Sequence, residues 1–462
     1  MFFHFPKYQA FHFQFSLPLG SIVKSPLVKH HSMSAMMPYS GMGDWDFRSA
    51  DTKEYTHCFH IYPAMMIPQV ARGLIDLYGK EGGILFDPYC GTGTSMVEAR
   101  LAGMDGFGTD INPTARMIAF AKTTDYNLKR LIGATKKVLS YLEENLDSIS
   151  DYSEFSEPEN VTWENLEKWF PPKSIGEISC AIEKVSDVGY MRGRVFLQVA
   201  LSECLRLVSF QRNNEFKLYR MPSDKRDLFY EPLLPKLRER IERNLEGLRR
   251  FSETVSPTTD VKIRGFNTVH TNGKRHFPSF PCADIVVTSP PYGDSGTTVA
   301  YGQFSWLSNV WLGLDDKAPG ALDREMMGGR KSTLEKFGCS PMDDAIAKVA
   351  EIDEQRAREV MHFYDEYLLS MRNVASTIVD GGFSCFVVGN RTVKGVQLPT
   401  DQFTAWAFEQ FGFSHIVTYV RDIPNKRMPS KNSPSNITGD TAPTMTAEFL
   451  VVCKKIKIKI SR

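Results

Sequence analysis

The sequence predicts an α/β chain built on a mostly parallel open sheet and interrupted by a large, mainly helical insertion. Three observations carry this. Two short apolar runs, Ile84-Leu85-Phe86 and Ala283-Asp284-Ile285-Val286-Val287, each end in a glycine- or proline-rich turn. A helix pattern and a second strand ending in an acid follow the first run within about 20 residues. Between the two turns lie residues 124–260, whose 3.6-residue periodicity reads as helix after helix.

The first turn is Asp87-Pro88-Tyr89-Cys90-Gly91-Thr92-Gly93-Thr94, with helix expected over Ser95 to Leu101. Gly91 and Gly93 allow close approach of the backbone to a ligand. The strand Gly106-Phe107-Gly108-Thr109 then delivers Asp110. Strand, glycine turn, helix, strand and acid make a nucleotide-binding arrangement in which the acid takes ribose hydroxyls. Asp110 could instead cap the helix that begins near Pro113. The dinucleotide spacing G-x-G-x-x-G and the phosphate-loop pattern G-x-x-x-x-G-K-[ST] are both missing here, which argues against NAD and against a phosphate cradle.

The second turn is Thr288-Ser289-Pro290-Pro291-Tyr292. The two prolines end the strand and supply no N–H. A hydroxyl (Ser289), a bare carbonyl (Pro290) and an aromatic face (Tyr292) therefore gather at one strand end. That set suits a flat ring carrying an exocyclic amine, with acceptors on its N–H groups and tyrosine stacked on its face.

Together, D-P-x-C-G-T-G-T and T-S-P-P-Y resemble the S-adenosylmethionine (AdoMet)-dependent amino-methyltransferases. The second motif has the form associated with cytosine-N4 DNA methyltransferases of restriction–modification systems, whereas adenine-N6 relatives more often carry an acid or Asn before the prolines. The resemblance implies a Rossmann-like AdoMet-dependent methyltransferase sheet, mostly parallel with an antiparallel last strand. It implies AdoMet as methyl donor, no metal, double-stranded DNA as substrate, and a cognate restriction endonuclease as a further partner. The implied cofactor residues are Tyr62, Asp87, Tyr89, Cys90, Gly91, Gly93, Thr94, Asp110 and Ile111, with Asp87 toward the ligand's amino group. The implied catalytic residues are Ser289, Pro290, Pro291 and Tyr292. Three readings compete: adenine-N6 methylation, RNA guanine-N2 methylation, whose relatives share similar turns, and a catalytically silent DNA-binding subunit.

Composition sets the bounds. The chain has 462 residues, 42% of them hydrophobic, enough for a sizeable core. Its 55 Lys and Arg nearly balance its 54 Asp and Glu, so any DNA footprint must be a local basic patch. The eight cysteines are scattered with no C-x-x-C pair, which fits a reducing cytoplasm and argues against zinc or a disulfide scaffold. No apolar run reaches the length of a membrane span.

In chain order, residues 1–35 are rich in Phe and His and read as poorly ordered, or as sequence upstream of a true start at Met33 or Met36. Residues 50–123 form the cofactor half of the methyltransferase domain, with a helix over Ile67 to Tyr78. His57 and His60 precede it and are expected to pack or make polar contacts near the cofactor rather than bind metal. Residues 124–260 are the candidate target-recognition insertion. Within it the segment from Arg212 to Arg220, including Lys217, mixes cations, amides and aromatics and is assigned to DNA contact. The cationic helix Leu234 to Phe251 is read as a solvated face.

Residues 261–462 form the catalytic half. Gly293 to Gly302 is a candidate mobile cover, and 315–342 a polar surface excursion. Ser414 to Arg421 and Thr446 to Cys453 are expected to close the sheet as an antiparallel pair. The basic loop holding Lys426 and Arg427 is assigned to phosphate contact. Lys454 to Arg462, alternating Lys and Ile, is expected to run on as a charge-protected edge strand.

Overall fold

The structure is a computed structural model describing residues 45–212, 216–270, 282–294, 298–315, 317–318, 320–423, 431–432, 442–443 and 445–457. The expectations for residues 1–35 and for Lys426 and Arg427 lie outside the described residues. Seven strands form the main sheet: β1 (Ile84–Asp87), β2 (Asp105–Thr109), β3 (Val261–Arg264), β4 (Ala283–Thr288), β5 (Ile378–Val388), β6 (Phe413–Asp422) and β7 (Ala447–Lys455). Their spatial order is β3-β2-β1-β4-β5-β7-β6. Strands β1 to β5 run parallel, and β7 is antiparallel to both β5 and β6. This is the Rossmann-like methyltransferase sheet expected from the two turns.

The strands read as near-continuous apolar runs because both faces are covered. Side chains alternate between two cores. Leu85, Ile285, Val287, Cys385, Val387, Leu450 and Val452 face one cluster, built with α1 (Pro68–Tyr78) and α2 (Thr94–Leu101). Phe86, Val286, Phe386, Val388, Val451 and Cys453 face the other. That second face is covered by α12 (Ser340–Ile352), α13 (Glu354–Ala375) and α14 (Thr400–Gln410). Asp353 ends α12, and its side chain caps α13 by accepting the Arg356 N–H.

The chain leaves β1 toward β2 and β3, and leaves β4 toward β5, so β1 and β4 flank the point where strand order reverses. In open α/β sheets the crevice beyond the carboxyl ends of such strands is where ligands bind. Registers Leu85 to Ile285 and Phe86 to Val286 bring both ligand-facing turns to that end.

Between β2 and β3 run α3 (Pro113–Thr123), α4 (Leu128–Asn145), α5 (Trp163–Glu167), α6 (Pro172–Ser186), α7 (Met191–Leu207), α8 (Ser223–Arg226) and α9 (Leu233–Thr254). The apolar faces of all but α8 share one cluster with the 3₁₀ turn Tyr55–Phe59 and with α10 (Tyr301–Trp311). The cations of α9 are met by carboxylates: Arg240 and Arg243 by Glu203, Arg238 by Glu143, Arg249 by Glu246 and Glu253. Arg238 and Arg249 lie on the expected solvated face, whereas Arg240 and Arg243 turn inward onto the buried Glu203.

Two expectations change. The closing strand is interior: β7 lies between β5 and β6, so the sheet edges are β3 and β6. Of the expected edge strand over Lys454 to Arg462, residues 458–462 lie outside the described residues, and Lys454 and Lys455, the end of β7, guard no edge. Lys455 donates to the Ile378 carbonyl at 2.6 Å, and Lys454 lies over the Phe383 ring. The apolar stretch Leu450–Cys453 pairs with β5 on one side and β6 on the other, which an edge strand cannot do. Segment 315–342 is also more than a surface excursion. It contains α11 (Ala321–Glu325) and the buried Met327. No helix among the described residues is long and apolar enough to cross a membrane.

Candidate active site

One pocket opens beyond the carboxyl ends of β1 to β4. Asp87 to Thr92 and Thr94 line it from the first turn, Asp110 and Ile111 from β2, Phe266 to Thr268 from beyond β3, and Ser289 and Pro291 from β4. Tyr62 to Met66, Tyr301, Met326 and Met327 complete the wall. The two turns singled out in the sequence, about 200 residues apart, thus meet in one cavity.

Asp87 joins them directly. It is 3% exposed and accepts hydrogen bonds from the Ser95 hydroxyl, from the Thr288 hydroxyl and, at 3.0 Å, from the Tyr89 N–H. Among the described residues no cation pairs with it. Burial pushes its pKa from 3.8 up to about 6, and the three donors counter only part of that. Thr288 precedes Ser289, so a single carboxylate fixes the first turn, the helix behind it and the strand end that carries the second turn.

Gly91 and Gly93 both sit at positive φ, +49° and +81°. A Cβ on Gly93 would lie 2.9 Å from that of Ala119, while Gly91 faces open space. The Gly91 N–H donates to Asp110 at 3.0 Å, and the Asn112 N–H donates to the other Asp110 oxygen at 2.7 Å. Asp110 does not cap α3; Asn112 does, accepting the Thr114 N–H. Burial raises the Asp110 pKa. Cys90 is buried against Gly108, and burial lifts its thiol far above the ordinary range, which disfavours the thiolate. Tyr62 stacks with Tyr301, centroids 5.9 Å apart, and its hydroxyl accepts from Asn112 Nδ2 at 2.8 Å.

Ser289 and Pro291 line the cavity, whereas Pro290 and Tyr292 stand beside it. The Tyr292 hydroxyl donates to Glu448 Oε1 at 2.8 Å and lies 3.5 Å from Ser289 Oγ. Glu448 is held in turn by Arg421 at 2.6 Å. A side chain on Gly389 would crowd the Tyr292 ring, with an ideal Cβ 3.0 Å from Cδ2. Two residues on, Asp294 accepts from Arg356 at 2.9 Å and from Arg391 at 3.3 Å. The expected mobile cover is therefore anchored at Asp294. Its far end, Tyr301 and Gly302, is already the first turn of α10, with the Gly302 N–H bonded to Asp323.

The expected histidine contacts are polar packing. His57 Nε2 lies 2.8 Å from Glu98, which Arg72 also holds, and His60 Nδ1 lies 2.6 Å from the Ile61 carbonyl. Burial lowers both imidazoles, His60 to about 4. An isolated antiparallel bridge between Gln211 and Arg220 brings Arg212 and Arg220 near each other. Arg212 is exposed, Arg220 lies over the Trp169 ring, and the Leu218 N–H reaches Gln303 on α10. Lys217 lies in the field of Asp323.

Sequence reasoning missed Phe266 to Thr268, Met326 and Met327, and placed Tyr301 only within the candidate cover. The segment after β3 was recoverable, because every parallel strand of such a sheet ends at the crevice. The methionines gave no signal, since they reach the pocket from a polar loop.

The residues fit AdoMet. An uncompensated buried carboxylate suits its ammonium, an acid after the second strand suits its ribose, and the aromatic and methionine wall suits its adenine. A family profile described as RMKL-like methyltransferase domain matches residues 53–136. A tRNA (guanine(10)-N2)-dimethyltransferase of Methanocaldococcus jannaschii is 32% identical over 93 residues, 20% of this chain and 26% of that protein. A SAM-dependent methyltransferase structure from Methanosarcina mazei aligns over 86% of this chain and 99% of its own, with 9% identity and a TM-score of 0.29. The type II methyltransferase M.MvaI of Kocuria varians is 35% identical over 423 residues, 88% of this chain and 93% of that protein. At that identity and coverage, the chain belongs to the type II methyltransferase family and is an AdoMet-dependent methyltransferase.

Proposed function

We propose that the chain is a site-specific DNA methyltransferase acting on the exocyclic N4 amine of a cytosine everted from duplex DNA. Its role would be to protect DNA in a cytoplasmic restriction–modification system with a cognate endonuclease. The observation that carries this reading is the shared pocket, in which the Asp87 and Ser289 turns end adjacent parallel strands and are tied by the Thr288–Asp87 hydrogen bond. The likeness to M.MvaI over most of both chains supports DNA as the substrate.

Bound AdoMet would supply an electrophilic methyl group on a sulfonium; as the amine nitrogen takes the methyl, the C–S bond would break to leave S-adenosylhomocysteine, and the nitrogen would release one proton to solvent. The chain's own residues do the rest. Asp87, Asp110 and the glycine turn hold the donor, with Tyr62, Tyr89, Cys90, Thr94 and Ile111 around it. The Ser289 hydroxyl and the Pro290 carbonyl accept the two N–H groups of the base. The N4 lone pair is delocalised into the ring, and these hydrogen bonds favour a more tetrahedral, more nucleophilic nitrogen. Holding the two reactants in line is the larger contribution, worth up to roughly 7–11 kcal/mol in intramolecular analogues. Everting the base costs a few kcal/mol of unstacking, of which Tyr292 would return about 1–3 kcal/mol by stacking. Arg212, Lys217, Arg220, Lys426 and Arg427 would contact DNA, and the 124–260 insertion would read the target.

A second reading, guanine-N2 methylation of RNA, draws on the stretch shared with the tRNA enzyme. Mass spectrometry of nucleosides from duplex DNA and from RNA treated with the protein separates the readings. N4-methylcytosine in DNA is expected. N6-methyladenine, or N2-methylguanine in RNA alone, would overturn the assignment.

A further inference from the structure

Besides the residues assigned to DNA above, an exposed cationic segment follows the pocket wall. Residues 326–333 run Met-Met-Gly-Gly-Arg-Lys-Ser-Thr. Met326 and Met327 line the cavity. Gly328 and Gly329 follow at φ +87° and +78°, a bend that side chains rarely adopt. The bend is packed tightly: a Cβ on Gly328 would lie 2.7 Å from that of Asp294, just past the catalytic turn. The Gly328 N–H donates to Glu366 at 2.8 Å, and the Ser332 N–H donates to the Arg358 carbonyl at 3.1 Å. Both anchors are on α13, so Gly329, Arg330 and Lys331 between them are presented on an arch pinned at both ends.

Of these, Arg330 and Lys331 are exposed and form no ion pair among the described residues. The neighbouring hydroxyls are engaged: Ser332 with Asp365 and Thr333 with Glu335 at 3.1 Å. The contrast with α9 is sharp, since its exposed Arg249 is held by two glutamates. Arg330 lies four Cα–Cα steps beyond Met326, so the chain can place it at most about 14 Å from the pocket wall. That is a reach of a few nucleotides along a strand whose phosphates repeat every 3.4 Å of helix axis.

We propose that Arg330 and Lys331 form a phosphate clamp that grips the DNA backbone beside the everted base. It would act together with the cations already assigned to DNA, Arg212 and Lys217. The inference rests on the DNA reading above. A forked guanidinium next to an ammonium suits successive phosphodiesters, and a rigid arch avoids the ordering cost that a flexible basic loop would incur on binding.

The test uses the full chain with parent, R330A/K331A and, as a charge-matched control, R249A/R250A. Binding to duplex DNA is measured as a function of salt, alongside AdoMet binding by calorimetry. R330A/K331A is expected to weaken DNA binding at least tenfold and to lower the slope of log affinity against log salt by roughly two, at about 0.9 per phosphate contact. AdoMet affinity should stay at the parent value and report an intact fold, and R330K/K331R should regain most of the slope. R249A/R250A is expected to keep the parent slope. If R330A/K331A keeps it too while the parent methylates duplex DNA, the clamp is wrong and the DNA reading stands. If the parent binds AdoMet and methylates RNA but not DNA, both are wrong.

Discussion

Replacing Asp87 by Asn is expected to stabilise the ligand-free protein and weaken its grip on AdoMet. The carboxylate is buried beside two hydroxyls and one N–H, with no cation paired to it among the described residues. Its pKa is raised from 3.8 to about 6 by that burial. The sign follows from linkage. Below pH 4 the group is neutral in both folded and unfolded chains and costs nothing. Between about 4 and 6 the unfolded chain releases its proton while the folded chain keeps it, so stability falls as pH rises. Above about 6 the full cost remains, roughly 3 kcal/mol at about 1.4 kcal/mol per pH unit. Asn is uncharged, its carbonyl still accepts from Thr288 and Tyr89, and its amide can donate to Ser95. Urea unfolding of both proteins without ligand should therefore show Asp87→Asn more stable by up to about 3 kcal/mol at pH 8, with the gap closing near pH 4. Calorimetry should show AdoMet affinity lowered about 10- to 100-fold, the loss of one charge-assisted hydrogen bond of about 1.5–3 kcal/mol. A variant no more stable than the parent at pH 8 would refute the burial argument. Unchanged AdoMet affinity would refute the placement of the ammonium.

Four other substitutions probe separate parts of the site. Ser289→Ala should reduce kcat by at least tenfold in a tritiated-methyl transfer assay while AdoMet affinity holds. Thr288→Val removes one of the donors to Asp87 and should raise that group's pKa further, so the activity profile's acid limb shifts to higher pH. Gly93→Ala forces a side chain to φ +81° and within 2.9 Å of Ala119, and should cost both AdoMet binding and thermal stability. Asp294→Ala leaves Arg356 and Arg391 without their shared carboxylate, and about 3–5 kcal/mol of unfolding free energy should be lost.

The sheet was legible because its strands announce themselves. Leu85-Phe86 and Ile285-Val286-Val287 are apolar on both faces, and each ends in residues that cannot continue a strand. The chemistry-bearing turns were legible for the same reason, since Gly91, Gly93, Pro290 and Pro291 are the residues that break local regularity. What stayed hidden is pairing across the chain. The Thr288–Asp87 bond spans 201 residues, and the Asp294 clamp draws on Arg356 and Arg391, 62 and 97 residues away. Such contacts leave no periodic trace. The same limit explains the misplaced last strand: alternating Lys and Ile at 454–462 looks like an exposed edge, yet β7 inserts between β5 and β6, a neighbour relation that alternation cannot encode. Tyr301 was hidden by its setting, a hydroxyl- and glycine-rich stretch whose final residues fold as the first turn of α10.

The central claim is that the ends of β1 and β4 hold methyl donor and base in one cavity. A crystal structure with S-adenosylhomocysteine and a short duplex carrying the recognition site tests it most directly. The expected result is the ligand's amino group within about 3 Å of Asp87, with an unstacked cytosine whose amine faces Ser289 and Pro290. A cytosine still stacked in the duplex, or a ligand bound away from Asp87 and Asp110, would contradict it.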